Sequence, residues 1–261
     1  MTDAAGKEGK YIYCIIGSSR PRSFGPFGIG AKGDQLTTIC FDDIAAVVSN
    51  SPIMKYPLSR ENMIAHEKAI EEVMKEYQVL PVRFSTIAED ETKIPKILEK
   101  EHDRFAELLM TMAGKTELSV IAIFKEDVIY KKITEKYQDI RMFKERIAGL
   151  PPGKRHGPLM EIGRRVEEAL HQEGEIYKEE ILNMLTALSC DVKVMDNYGE
   201  LMIIKAAFLV ERHREEEFDR TVNELAEKYV EKIRFKYVGS LPPFNFVNLV
   251  IETGNYQDVS P

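Results

Sequence analysis

DVKVMDNYGELMIIKAAFLV, residues 191–210, holds two strands and a turn. DVKVM and LMIIKAAFLV are rich in β-branched and apolar residues, and Asn197 to Gly199 between them suit a tight hairpin. Upstream, LSVIAIF at residues 118–124 predicts a strand, and a long helical region over about residues 127–189 separates it from the hairpin. LPPGKRHGP, residues 150–158, interrupts that region with Pro and Gly, the strongest local breakers. Downstream, Phe218, Val222, Leu225, Tyr229 and Ile233 recur at helical spacing before IRFKYVG and FNFVNLVIE close the chain. In order this is β-α-β-β-α-β, the ferredoxin-like arrangement, with two helices on one face of an antiparallel sheet.

The first half has a different rhythm. YIYCII, residues 11–16, predicts a strand that ends at GSSRPRSFGPFGIGAKGD, and QLTTICF then resumes strand character ahead of DDIAAVVS. Ser59 can cap a helix in which Met63, His66, Ile70, Val73 and Tyr77 share a face. VLPVRFST follows as a short strand with Pro81 near its start. Ile94, Ile97, Leu98, Phe105, Leu108, Leu109 and Met112 mark a second amphipathic helix, with Pro95 in its first turn and Gly114 past its end. The class is therefore α+β in two domains, an N-terminal mixed domain at residues 1–115 and a C-terminal ferredoxin-like domain at 116–261. The alternative cut, at residues 150–158, would strip the second domain of its opening strand.

With 261 residues and 44% hydrophobic side chains, the chain can bury a full core in one or two domains. Its net charge is −7, and Lys and Arg are dispersed along helix faces, so the local positive field that nucleic acid requires is missing. No run approaches the ~20 apolar residues of a membrane span, and the N-terminus MTDAAGKEGK lacks the layout of a signal peptide. A cytoplasmic protein without a lipid-membrane partner is expected. Cys14, Cys40 and Cys190 are odd in number and far apart, which suits neither a disulfide framework nor a zinc cluster. Cys14 and Cys40 read as buried, inert thiols.

Gly28, Gly30 and Gly33 spell G-x-G-x-x-G, the spacing that brings backbone close to a pyrophosphate in dinucleotide-binding folds. Such a cradle needs a strand just before the first glycine and a helix starting at the last. Here a long irregular stretch precedes Gly28 and the β-branched QLTTICF follows Gly33, so a mobile connection with positive φ angles is the better reading. His66 lies on its helix's apolar stripe and reads as a hydrogen-bonded core or interface group. His102, His156, His171 and His213 have no partner at metal-ligand spacing, and no G-x-S-x-G occurs. Acidic runs such as Glu215 to Glu217 read as solvated helix faces. No catalytic, cofactor-binding or metal-binding residue is assigned, and no cofactor is expected. Arg83 is a charge in a half-buried strand and calls for an anion or, more simply, an internal carboxylate. GSLPPFNFV, residues 239–247, is either a kink that redirects the last strand or an exposed aromatic docking segment.

YIYCIIG, GIGAKG, FDDIAAVVS, AHEKAI, VLPVRFST, GKTELSV, KAAFLVER and GSLPPFNFV, taken in this order over nearly the whole chain, resemble the gas vesicle protein F/L family. The family's strand motif usually reads L-P-x-R-F-G-T, where this chain has Ser85 for the Gly. Its terminal motif commonly reads G-P-x-P-P-Y, where this chain has Ser240 and Phe244. The resemblance implies two α+β domains, the second a modified ferredoxin-like one, and a protein without catalysis. It further implies an accessory or minor structural component of the gas vesicle. Such a protein binds the hydrophobic major shell protein, and other accessory proteins, during assembly. Gly28, Gly30, Arg83, Phe84, Pro242, Pro243, Phe244 and Phe246 are the candidate partner contacts. The rival reading, open because ferredoxin-like domains host many activities, is a small-molecule or anion-binding sensor or enzyme, with Arg83 and the glycine loop lining an anion pocket.

Overall fold

YIYCII becomes the centre of the first sheet in the computed structural model, which describes residues 8–29 and 34–252. The chain forms two units: one runs to Thr116 and resumes at Ser240, and the other is Glu117–Gly239.

In the first unit β1 (Glu8–Gly17), β2 (Ser23–Gly25), β3 (Leu36–Phe41), β4 (Ile44–Pro52) and β5 (Val79–Pro81) run in the order β2-β3-β4-β1-β5, and β6 (Ile87–Ala88) also pairs with β1. The β1 pairings with β4, β5 and β6 are all antiparallel. Tyr11 to Ile16 are at most 1% exposed, so β1 is covered on both faces, which is why it reads as an unbroken apolar run rather than an alternating one. DDIAAVVS supplies a tight turn at Asp42 and Asp43 and then β4, again buried from Ile44 to Val48.

α1 (Arg60–Met74) starts where the Ser59 hydroxyl accepts the Asn62 N–H at 3.3 Å. It buries His66, Ala69, Ile70 and Val73, the i, i+3, i+4, i+7 face. The second amphipathic helix is not continuous: α2 (Lys93–Lys100) and α3 (His102–Met112) meet at Glu101, whose φ of −103° and ψ of 9° leave the helical region. Cys14 is buried as expected, whereas Cys40 is only half-buried.

In the second unit β7 (Lys115–Phe124), β8 (Asp191–Met195), β9 (Met202–Glu211) and β10 (Ile233–Leu241) form a sheet in the order β10-β7-β9-β8. Between β7 and β8 run α4 (Glu126–Lys136), α5 (Gln138–Ala148) and α6 (His156–Thr186); α7 (Glu215–Lys228) joins β9 to β10. Leu118, Val120, Ala122 and Phe124 alternate along β7 into one core with Ile204, Ala206, Phe208 and Val210 of β9. Tyr177, Ile181 and Leu185 of α6 and Phe218, Val222 and Leu225 of α7 cover it. β8 and β9 are an antiparallel hairpin, but its connection is longer than a two-residue turn. Gly199 takes a φ of 85° there, and the Asn197 amide donates to the Met202 and Ile203 carbonyls at 2.8 and 3.2 Å.

Among the described residues two carboxylates lie buried in this unit, Glu117 of β7 and Glu173 of α6. Glu173 of α6 is 1% exposed. Lys132 donates to it at 2.5 Å, Lys136 to its other oxygen, and Tyr137 at 3.3 Å. Burial by itself would raise the Glu173 pKa; the two lysine hydrogen bonds outweigh it and hold the group below the usual carboxylate value.

FNFVNLVIE does not form a last strand. Pro242 and Pro243 have no amide to donate, β10 stops at Leu241, and the chain turns with Phe246 and Val247 N–H groups both reaching the Pro243 carbonyl. Leu249 then makes a parallel bridge to Val82. The division at residue 115 kept 116–261 together, but the segment from Ser240 packs with the first unit. Val247 and Leu249 are buried, and Phe244 packs on the first core.

Candidate functional site

Two tyrosines on one face of β1 organise the region where the candidate contacts gather. Tyr11 and Tyr13 sit two residues apart, so their rings share a face, with centroids 4.7 Å apart. α1 sets His66 against both: its Nδ1 lies 3.1 Å from the Tyr11 hydroxyl, and its ring stacks on Tyr13 at 5.8 Å. His66 also bonds the Val82 backbone. A carbonyl can only accept, so that bond takes the ring N–H and leaves Nδ1 to accept from Tyr11. The Tyr11 oxygen in turn accepts the Ser85 N–H at 2.8 Å. Burial lowers the His66 pKa to about 4, so the imidazole is neutral. Burial likewise pushes Tyr13 up to about 12 and raises Tyr11 and Cys14.

Several of the sequence candidates lie around this buried chain. Phe84 is half-buried, edge-on to His66 at 5.6 Å and to Tyr11 at 6.5 Å. Phe244 packs against the same cluster from the returning C-terminal segment. Arg83 is exposed, and its backbone N–H donates to the Leu249 carbonyl at 3.1 Å. Pro242 and Pro243 are buried beneath the turn, and Phe246 is half-buried. The structure thus brings the segment after β5 and the terminal segment side by side, although nothing in their spacing links them.

Gly28 belongs to the same neighbourhood. The next residue, Ile29, is buried and donates its N–H to the Tyr13 hydroxyl at 2.7 Å, while Tyr13 also bonds Ser49 at 2.8 Å. Gly28 donates to the Asp34 carbonyl at 2.8 Å, and a Cβ on it would stand 2.7 Å from that oxygen. Close approach, rather than a positive φ, requires this glycine; among the described residues of the loop the positive φ, 95°, is at Gly25. Gly30 lies outside the described residues.

Ser85 carries a signal that its sequence hinted at. It stands where the related motif has Gly, and its φ is 65°, in the left-handed region. Its hydroxyl accepts the Tyr56 N–H at 3.0 Å, and Tyr56 bonds Ser51 at 3.0 Å.

A further grouping was invisible in the sequence. His102 at the start of α3 meets the β3–β4 turn, 2.7 Å from Asp43 and 3.9 Å from Asp42. The hydrogen bond to Asp43 raises the His102 pKa, followed by that to Asp103. Side-chain atoms of Asp42, Asp43 and His102, one from each, lie within 4.8 Å of one another. Among the described residues every buried side-chain polar atom has a partner. What the region offers is a surface of partly covered rings and one guanidinium.

The family model for gas vesicle synthesis protein GvpL/GvpF matches residues 9–248. The chain is 25% identical to gas vesicle protein F of Dolichospermum flosaquae, covering 92% of this chain and 97% of that one. It is 27% identical to gas vesicle protein F of a Streptomyces strain, covering 91% and 98%. The crystal structure of the gas vesicle protein GvpF from an Anabaena species superposes with a TM-score of 0.78 at 24% identity, covering 93% of this chain and 99% of that one. The crystal structure of gas vesicle protein GvpF from Microcystis aeruginosa gives 0.74 at 21%, covering 92% and 99%.

Proposed function

Since the chain belongs to the gas vesicle synthesis protein GvpL/GvpF family, we propose that it is an accessory or minor structural protein of the gas vesicle. It binds the hydrophobic shell protein, with other accessory proteins as further partners, and supports assembly of the wall. It works in the cytoplasm at the growing vesicle. Among the described residues no helix is long and apolar enough to cross a membrane.

One observation carries this reading beyond the family name: Arg83–Phe84 and the segment from Pro242 to Phe246 meet over one aromatic cluster. Partly exposed aromatic rings beside an arginine are the side chains in which binding energy concentrates. A subunit bound there would be kept from self-association by a carrier of net charge −7. The strand order β10-β7-β9-β8 with its two helical crossovers is read as a modified ferredoxin-like domain, and the first unit as the domain that makes this contact.

Deleting the protein from a vesicle-forming host tests the proposal. Loss of vesicles, restored by the intact chain, is expected; unchanged vesicle number and shape would contradict it.

A further inference from the structure

The second unit carries an open groove of about 550 Å³ that the contact above does not use. Ile133, Ile140 and Ile147 line it from α4 and α5, and Leu159, Ile162 and Val166 from α6. Leu159 is 54% exposed. The α6 row is spaced i, i+3, i+7, one helical ridge, and facing ridges of this kind leave a channel that fits the ridge of another helix. Gly163 sits between those α6 side chains, and nothing lies within 4 Å of where its Cβ would be.

The polar groups of the groove say what kind of occupant fits. The Thr134 hydroxyl is already used on the Tyr130 carbonyl at 2.9 Å. The lining is otherwise mostly aliphatic, with Tyr130 its one aromatic residue. Charge lies instead on the banks: Lys144 on the α5 side, Glu167 on the α6 side, and Glu200 from the β8–β9 connection. Among the described residues neither Lys144 nor Glu167 is in an ion pair. An apolar floor between one basic and one acidic bank complements an amphipathic helix with acidic residues along one flank of its apolar stripe and basic residues along the other. We propose that this groove docks such a helix of a partner protein, as a second contact independent of the aromatic cluster.

The test is fluorescence anisotropy of labelled synthetic helical peptides with the full chain. One peptide carries leucines at i, i+3, i+4 and i+7 with a glutamate flank and a lysine flank; a control has lysines on both flanks. The mixed peptide is expected to bind saturably and to prefer the parent chain. Gly163→Arg should weaken it at least about tenfold by filling the channel. That position is exposed and Arg is the better helix former, so the fold is kept. Lys144→Glu should weaken the mixed peptide about fivefold and strengthen the all-lysine control. Absence of saturable binding to the parent, or equal affinity for Gly163→Arg, would overturn the proposal. So would self-association of the parent that Gly163→Arg abolishes, because a second copy would then be the occupant.

Discussion

The Ser85 hydroxyl accepts the backbone N–H of Tyr56 at 3.0 Å, from a residue held at a φ of 65°. The left-handed conformation costs a non-glycine residue about 1–2 kcal/mol, and the hydrogen bond returns about 1 kcal/mol. The bond also fixes the backbone whose N–H reaches Tyr11. Ser85→Ala keeps the strain and loses the bond, so it should destabilise by about 1–2 kcal/mol. Ser85→Gly loses both and should be nearly neutral. Urea denaturation of the pair measures the order; an alanine variant as stable as the glycine variant would contradict this account.

Neutral His66 makes stability depend on pH with a definite sign. Its pKa falls from 6.5 to about 4 on folding, so the unfolded chain binds the extra proton between those values. Its contribution is complete above pH 6.5 and is lost as pH falls toward 4, about 3 kcal/mol in all. Denaturation at stepped pH should show this slope in the parent and a shallower one in His66→Gln. Equal slopes would remove His66 as the source.

Glu173 and its lysines should respond unequally to truncation. Lys132 and Lys136 are partly exposed, 32% and 50%, and can turn to water if the carboxylate goes. Replacing both lysines with Met leaves the buried carboxylate without a cation, held only by the Tyr137 hydroxyl, which is the costlier change at about 3 kcal/mol or more. The sign with pH also reverses. In the parent the depressed Glu173 pKa contributes stability above the unfolded value that is lost on acidification. In the double Met variant the lysines no longer oppose burial, which raises that pKa, so acidification should relieve part of the loss. Thermal melts at neutral and acid pH check both statements.

Gly28→Ala places a methyl 2.7 Å from the Asp34 carbonyl. Backbone cannot give way as a flexible side chain would, so a cost of about 1–3 kcal/mol is expected, with loss of protection at the Ile29 amide in hydrogen exchange. An unchanged Ile29 amide would show that the turn accepts the methyl.

The strands and helices of both units were legible where one face of an element alone is buried, as in β7, α1 and α7, because period then reports burial directly. β4 was less so: a strand covered on both faces loses its alternation. The break at Glu101 left no mark in the amphipathic pattern, since the apolar spacing carries through it. The terminal segment was read as a strand from its β-branched and aromatic content, whereas the absent Pro242 and Pro243 amides ended the ladder. In the candidate site, each candidate residue stood out locally as a glycine, arginine, aromatic or Pro-Pro step. Their assembly did not, because the Val82–Leu249 bridge and the Tyr11–His66 bond join distant segments. The His102–Asp43 pair, 59 residues apart, was hidden for the same reason.

Whether this aromatic surface binds the shell protein is tested most directly by co-purifying the intact chain with the shell protein, parent beside Arg83→Glu and Phe244→Ala. Retention by the parent, and loss of at least about tenfold in both variants while each still unfolds cooperatively above the assay temperature, is the result predicted. A parent that does not retain the shell protein, or variants that retain it equally, would contradict the assignment.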